Sequence, residues 1–167
     1  MVDDRDHREA RAPAPQDLAR ICRALNASGA RYVLIGGFAV SAHGAGRPTK
    51  DIDLLVDPSA DNIARIREAL QILSDHAVND VADDDVRNYA VVRIADEILI
   101  DLMSQACGVT YDAAIGDAET AEIDGVAIPV ASKATLIRTK QTHRPSDLAD
   151  RHFLQSRIDE DGRAGEQ

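Results

Sequence analysis

Residues 36–53 read GGFAVSAHGAGRPTKDID, the most informative stretch of the chain. A hydrophobic run, Tyr32-Val33-Leu34-Ile35, delivers Gly36 and Gly37, and a second run at 52–56 is entered through Asp51 and carries Asp53. In a β-strand residues i and i+2 project to the same side, so Asp51 and Asp53 point together. Two adjacent carboxylates repel each other unless a cation sits between them. Hard divalent ions such as Mg²⁺ take oxygen ligands and are shared between a carboxylate or two and substrate phosphates. The glycines supply the complementary half. Without a Cβ they let a phosphate approach the backbone, and the helix start that follows offers unpaired N–H donors and a positive dipole end. A phosphate cradle followed by a metal-binding aspartate pair reads as a site for a nucleoside triphosphate.

The arrangement resembles the polymerase-β-type nucleotidyltransferases, whose motif is a hydrophobic residue, Gly, then Gly or Ser, a spacer of similar length and Asp-x-Asp. With His43-Gly44 and Arg47-x-Thr49-x-Asp51 inside the spacer, it is most similar to small bacterial members that include toxins of type IV toxin–antitoxin (abortive infection) systems. The resemblance spans residues 18–154. It implies an α/β (α+β) nucleotidyltransferase fold, a mixed β-sheet flanked by helices.

A third carboxylate follows from the same comparison. The family's third catalytic acid lies on a later strand beside the Asp-x-Asp strand, and Asp101 fits that position. It is the lone charge in Ile98-Leu99-Ile100-Asp101-Leu102-Met103, where a buried carboxylate needs a partner or a metal. Asp84, Asp96 and Glu97 compete for the role, but they fall in loop or turn sequence and are expected to be solvated. The resemblance then implies two Mg²⁺ ions, or Mn²⁺, bridging Asp51 and Asp53, with one also bound by Asp101. Such ions activate an acceptor hydroxyl for in-line attack on the α-phosphorus and hold the departing pyrophosphate. Catalysis of this kind is positioning and charge neutralisation, and it requires no covalent nucleophile.

Supporting residues surround this set. Arg47 and Lys50 can contact phosphate or simply offset Asp51 and Asp53, and His43 can be a hydrogen-bond donor to the site or a packing histidine at a helix end. Thr49 is expected to serve loop structure. The family's C-terminal Lys-x₃-Arg-x₂-Asp-x₂-Asp pattern corresponds to Lys140, Arg144, Asp147 and Asp150. The resemblance assigns Lys140 to nucleotide phosphate and the two aspartates to structural ion pairs. Many family members carry Ser where this chain has Gly37, and Ser41, one turn later, is a candidate substitute for that hydroxyl.

Composition bounds the remainder. A chain of 167 residues fits one domain and should bury about 70% of its unfolded surface. Cys22 and Cys107 show no metal-ligand or disulfide spacing, so a reduced cytoplasmic setting is expected. No apolar stretch suggests a membrane span or a signal core. The net charge of −10 opposes non-specific binding of long nucleic acids. Yet Lys133, Arg138, Lys140 and Arg144 fall within residues 131–145, a stretch without Asp or Glu. One local basic surface in an acidic protein suits a small polyanion.

Residues 1–15 are expected to be a disordered extension, 16–157 a single nucleotidyltransferase-like domain and 158–167 a disordered tail. Within the domain, helical spacing at Leu18, Ile21, Cys22 and Leu25 predicts a first helix. Asp57-Pro58 reads as the start of a second, with Ile63, Ile66, Leu70 and Leu73 on its apolar face. Residues 88–94 and 98–103 read as a hairpin turning at Ala95-Asp96-Glu97, and Asp124-Gly125 signals a type I′ hairpin. Residues 111–115 carry a short helix. Ser132 and Ser146 are expected to cap the last two helices, the final one containing Leu148 and Phe153.

Two function classes follow. The first is transfer of a nucleoside monophosphate from an NTP to a hydroxyl on RNA, a protein or a small molecule. The second is a catalytically weak nucleotide-binding regulator, such as one component of a toxin–antitoxin pair. No separate acceptor-binding domain is evident, so the acceptor is expected to come with a partner subunit or a second copy of the chain.

Overall fold

The computed structural model describes residues 9–166. The apolar positions Leu18, Ile21, Cys22 and Leu25 are all buried and form the inner face of α1 (Pro15–Ser28). β1 (Tyr32–Ile35) is buried throughout, as a central strand must be, and α2 (Gly36–Ala42) begins directly at the glycines. β2 (Asp51–Val56) and α3 (Ala60–Ala69) come next, followed by 3₁₀ turns at Leu70–Ile72 and Ala77–Asp80 and the single turn α4 (Asp85–Asn88). β3 (Val92–Ala95) and β4 (Leu99–Met103) form the next hairpin. β5 (Gln105–Ala106), β6 (Val109–Thr110) and α5 (Tyr111–Ile115) lead to β7 (Glu119–Ile123) and β8 (Val126–Val130). α6 (Lys133–Thr139) and α7 (Pro145–Ala164) close the chain.

Six strands make one mixed sheet in the order β3-β4-β2-β1-β8-β7, and β5 with β6 forms a small separate ribbon. β2 runs antiparallel to β1 and parallel to β4, and β1 runs parallel to β8. Parallel neighbours need a crossover, and α3 with the turns after it supplies the one between β2 and β4. α1 packs against α3, β7 and β8, α2 against β1, β2 and α6, and α6 against α7. The result is the mixed sheet flanked by helices implied by the resemblance. Asp124 (φ 51°) and Gly125 (φ 76°) join β7 to β8 in the expected two-residue turn.

Several boundaries differ from those read in the sequence, each for a local reason. Of the stretch 1–15, residues 1–8 lie outside the described residues. Further along, the Arg11 N–H donates to the Glu97 carbonyl (3.1 Å) and the Arg11 guanidinium grips Asp17 (2.6 and 2.7 Å), while Pro15 already opens α1. This Arg–carboxylate fork ties the segment to the domain. At the other end α7 continues through Ala164, past the expected limit of 157, with Gln155–Asp159, Arg157–Glu160 and Lys133–Asp161 pairs along its last turns. Such polar side-chain pairs support a helix that has no apolar stripe.

The cap of α3 is Ser59, whose Oγ accepts from Asn62 N, whereas Asp57 accepts from Ser59 N. Residues 85–88 form α4, and the strand starts only at Val92. Arg144, not Ser146, stands at the N-cap of α7 because Pro145 takes the first helical position, where its missing N–H costs nothing. On α7 Leu154 is buried and Leu148 is exposed.

Candidate active site

The site begins at the end of β1. Gly36 has φ +72°, and a Cβ there would lie 2.0 Å from Asp53 Oδ2, so both backbone conformation and space demand glycine. The register sets Ile35 opposite Asp53 and Asp53 beside Asp101 on the parallel neighbour β4. Pleating brings Asp51 onto the same face, and the three carboxylates offer oxygens all within 4.8 Å of one another. Ile52, Ile100 and Leu102, which alternate with them, are fully buried.

Crowding of this kind has an electrostatic consequence. Burial first, then Asp51 and Asp101, push the Asp53 carboxyl up to about 8, with Lys140 acting the other way. Asp101, only 5% exposed, is held by Arg93 from β3: Nε donates to Oδ1 (2.8 Å) and Nη2 to Oδ2 (2.9 Å). The same Nη2 lies 3.0 Å from Asp51 Oδ2. Asp101 and Asp51 raise the Arg93 guanidinium above its ordinary value, so its charge is secure.

The carboxylates open into a cavity of ≈ 670 Å³ that also takes in Gly36, Gly37, Lys50, Lys140 and Arg144. Acids and bases therefore share its lining, with Arg93 among the carboxylates and Asp147 beside Lys140. A volume of this size is in the range of small-molecule and cofactor sites. A phosphate bound through a divalent ion fits that polarity.

A family model described as "Nucleotidyl transferase AbiEii toxin, Type IV TA system" matches residues 17–164. The chain belongs to this family. No curated protein matches it individually.

In this AbiEii family member the donor set suits a hard divalent cation. It consists of carboxylate oxygens alone, clustered within 4.8 Å, and burial beside Asp51 and Asp101 disfavours the charged form of Asp53, a cost that a bound cation would relieve. Gly37 has a steric explanation as well. A Cβ at that position would meet Thr49 Oγ1 at 2.8 Å, so the space a serine side chain would need is filled by the threonine, whose hydroxyl donates to the Asp51 carbonyl (3.0 Å).

The basic C-terminal residues are brought to the cleft in a different way from the aspartates. Lys140 caps α6, is 6% exposed, and its Nζ lies 3.0 Å from Asp150 Oδ2 and 3.6 Å from Asp147 Oδ1. It thus lines the cavity while neutralising the two acids of α7. Arg47 pairs with the same Asp150 oxygen (2.6 Å) rather than with Asp51 or Asp53. Lys140, Arg47 and Asp150 together staple the loop 43–50 to the helical pair α6/α7. Lys50 remains exposed at the cavity edge.

Ser41 is not brought to the carboxylates. It faces a second, more apolar cavity of ≈ 410 Å³ with Phe38 and Ile123, separated by the Arg47-Pro48-Thr49 wall, and its Oγ reaches the Arg47 carbonyl (3.4 Å). His43 is a packing histidine: Nε2 bonds the Ala131 carbonyl (2.9 Å) and Nδ1 lies 3.5 Å from Glu119.

Asp96 is buried rather than solvated. Burial alone would raise its carboxyl, but the N–H groups of Ala77, Asp75 and Glu97 hold it below the ordinary carboxylate value. It anchors the loop before β3, and Glu97 pairs with Arg20. The residue bonded to the carboxylates that the sequence did not signal is Arg93. Its only signal was register, since it stands directly opposite Asp101 across β3 and β4.

Proposed function

We propose that the chain transfers a nucleoside monophosphate from an NTP to a hydroxyl of an acceptor, releasing pyrophosphate, with Mg²⁺ or Mn²⁺ held by Asp51, Asp53 and Asp101. The observation that carries this reading is the convergence of the three carboxylates on one face of β2 and β4, in a cleft that Lys50, Lys140 and Arg144 also line. The bound ion would supply charge neutralisation at the phosphates.

The chain's own residues account for the rest. Gly36 and Gly37 bring backbone without side chains to the cleft, and Arg144 and Lys50 supply positive charge along it, with Lys140 shared between the cleft and the acids of α7. Arg47 acts through Asp150, fixing the loop that frames the cavity. The acceptor is RNA, a protein or a small molecule. Membership of the AbiEii family favours a toxin that works with an antitoxin partner. Among the described residues no helix is long and apolar enough to cross a membrane.

The test is pyrophosphate release from each NTP with Mg²⁺ and candidate tRNA or protein acceptors, for wild type beside Asp51→Asn and Asp101→Asn. Release by wild type alone supports the reading, and equal release by all three sinks it. Magnesium-dependent NTP binding without transfer to any acceptor would favour the regulatory alternative.

A further inference from the structure

Arg93 makes three charge-assisted contacts of 2.8–3.0 Å to Asp101 and Asp51, two of the three carboxylates assigned to the divalent ion. Bidentate bonding of this kind uses both oxygens of Asp101, the same atoms a metal would need. Lys140 is committed to Asp147 and Asp150, so among the described residues Arg93 is the one cation bonded to Asp51 or Asp101. β3 is an edge strand and the Arg93 side chain is 51% exposed, so its outer half already stands in solvent. The guanidinium can leave the acids without repacking the core.

We propose that Arg93 is an internal counter-cation that competes with the divalent ion. In the metal-free protein it holds Asp51 and Asp101 together in place of a metal, and a binding ion would compete with it for those carboxylates. A metal without nucleotide therefore binds weakly. A nucleotide, whose phosphates give the released guanidinium new acceptors, removes that cost, so metal and nucleotide bind cooperatively. The inference rests on the metal-binding reading proposed above, and it adds a residue that positions and gates the ligands rather than one of the ligands.

The probe is Mn²⁺ alone, titrated into the full chain by calorimetry or by the electron paramagnetic resonance signal of the free ion. Wild type is compared with Arg93→Gln, Arg93→Lys and the double variant Arg93→Gln/Asp101→Asn. Arg93→Gln should bind Mn²⁺ about tenfold tighter or more, because a charge-assisted pair no longer has to be displaced. Arg93→Lys should fall between, since ammonium cannot make the bidentate fork. The double variant should lose the gain.

Should Arg93→Gln be too unstable without metal to titrate, Mn²⁺ must raise its melting temperature more than it raises that of wild type. Equal affinities, or equal thermal shifts, overturn the proposal for Arg93. In that event Mn²⁺ binding abolished by Asp51→Asn would still uphold the metal site. No Mn²⁺ binding by any variant, with or without a non-hydrolysable NTP analogue, would overturn the metal site itself.

Discussion

Replacing Asp53 with Asn should make the metal-free protein more stable while abolishing its nucleotidyl transfer. The Asp53 carboxyl is pushed from 3.8 up to about 8, by burial first and by Asp51 and Asp101 next. At about 1.4 kcal/mol per pH unit this rise sets a ceiling of about 6 kcal/mol. Charge is shared among three coupled acids and partly neutralised by Arg93, so the gain expected from an uncharged Asn is about 2–3 kcal/mol at alkaline pH.

The sign follows from proton counting. Between the unfolded value near 4 and the folded value near 8 the folded protein keeps a proton that the unfolded chain has released. Folding is therefore favoured at the acid end of that window, and the advantage is lost as pH rises through about 8. Urea unfolding in EDTA from about pH 5 to about pH 9 should show wild type losing stability relative to Asp53→Asn. Added Mg²⁺ should narrow the gap by stabilising wild type alone. A difference between the two proteins that does not grow with pH, or a variant less stable than wild type at about pH 9, would rule out a buried Asp53 carboxyl that resists ionisation.

Gly36→Ala combines a left-handed backbone with a Cβ 2.0 Å from Asp53 Oδ2, so it should cost about 2–4 kcal/mol in denaturant melts and lose transfer activity. Unchanged stability would contradict that crowding. Gly37→Ser should cost about 1–3 kcal/mol by collision with Thr49, and Thr49→Ala in the same chain should recover most of it, a coupling that a double-mutant cycle measures directly. Additive losses would mean that Thr49 is not what excludes a side chain there. Lys140→Ala leaves buried Asp150 to Arg47 alone and should destabilise the chain by about 2–4 kcal/mol while weakening NTP binding. Loss of stability with unchanged NTP affinity, read by calorimetry, would confine Lys140 to a structural role.

The acids of the site were legible because each breaks a local rule. Asp51 and Asp53 alternate on one strand and so call for a cation, while Asp101 interrupts an apolar one and so calls for a partner or a metal. The partnership of Asp53 with Asp101 needed the parallel pairing of β2 and β4, and the structure supplies it in register.

Arg93 was illegible for a different reason. A turn at Ala95-Asp96-Glu97 would set Val91 opposite Asp101, whereas the observed hairpin is centred on Glu97 and sets Arg93 there. Asp96 bends the chain this way by accepting N–H groups from Asp75 and Ala77, some twenty residues upstream, a contact that local composition does not report. The Arg47–Asp150 pair was hidden likewise, since its partners are 103 residues apart. The helical tail beyond 157 depends on charged pairs, which carry no apolar period to read.

Transfer of a nucleoside monophosphate by the three-carboxylate site carries the α-phosphate, and not the γ-phosphate, into the acceptor. It is tested most directly by giving the protein, Mg²⁺ and a candidate acceptor an NTP labelled at either the α- or the γ-phosphate, with Asp101→Asn as control. With wild type only, α label should enter the acceptor, and γ label should leave as pyrophosphate. Label entering the acceptor from the γ-phosphate, or α labelling undiminished in Asp101→Asn, would contradict it.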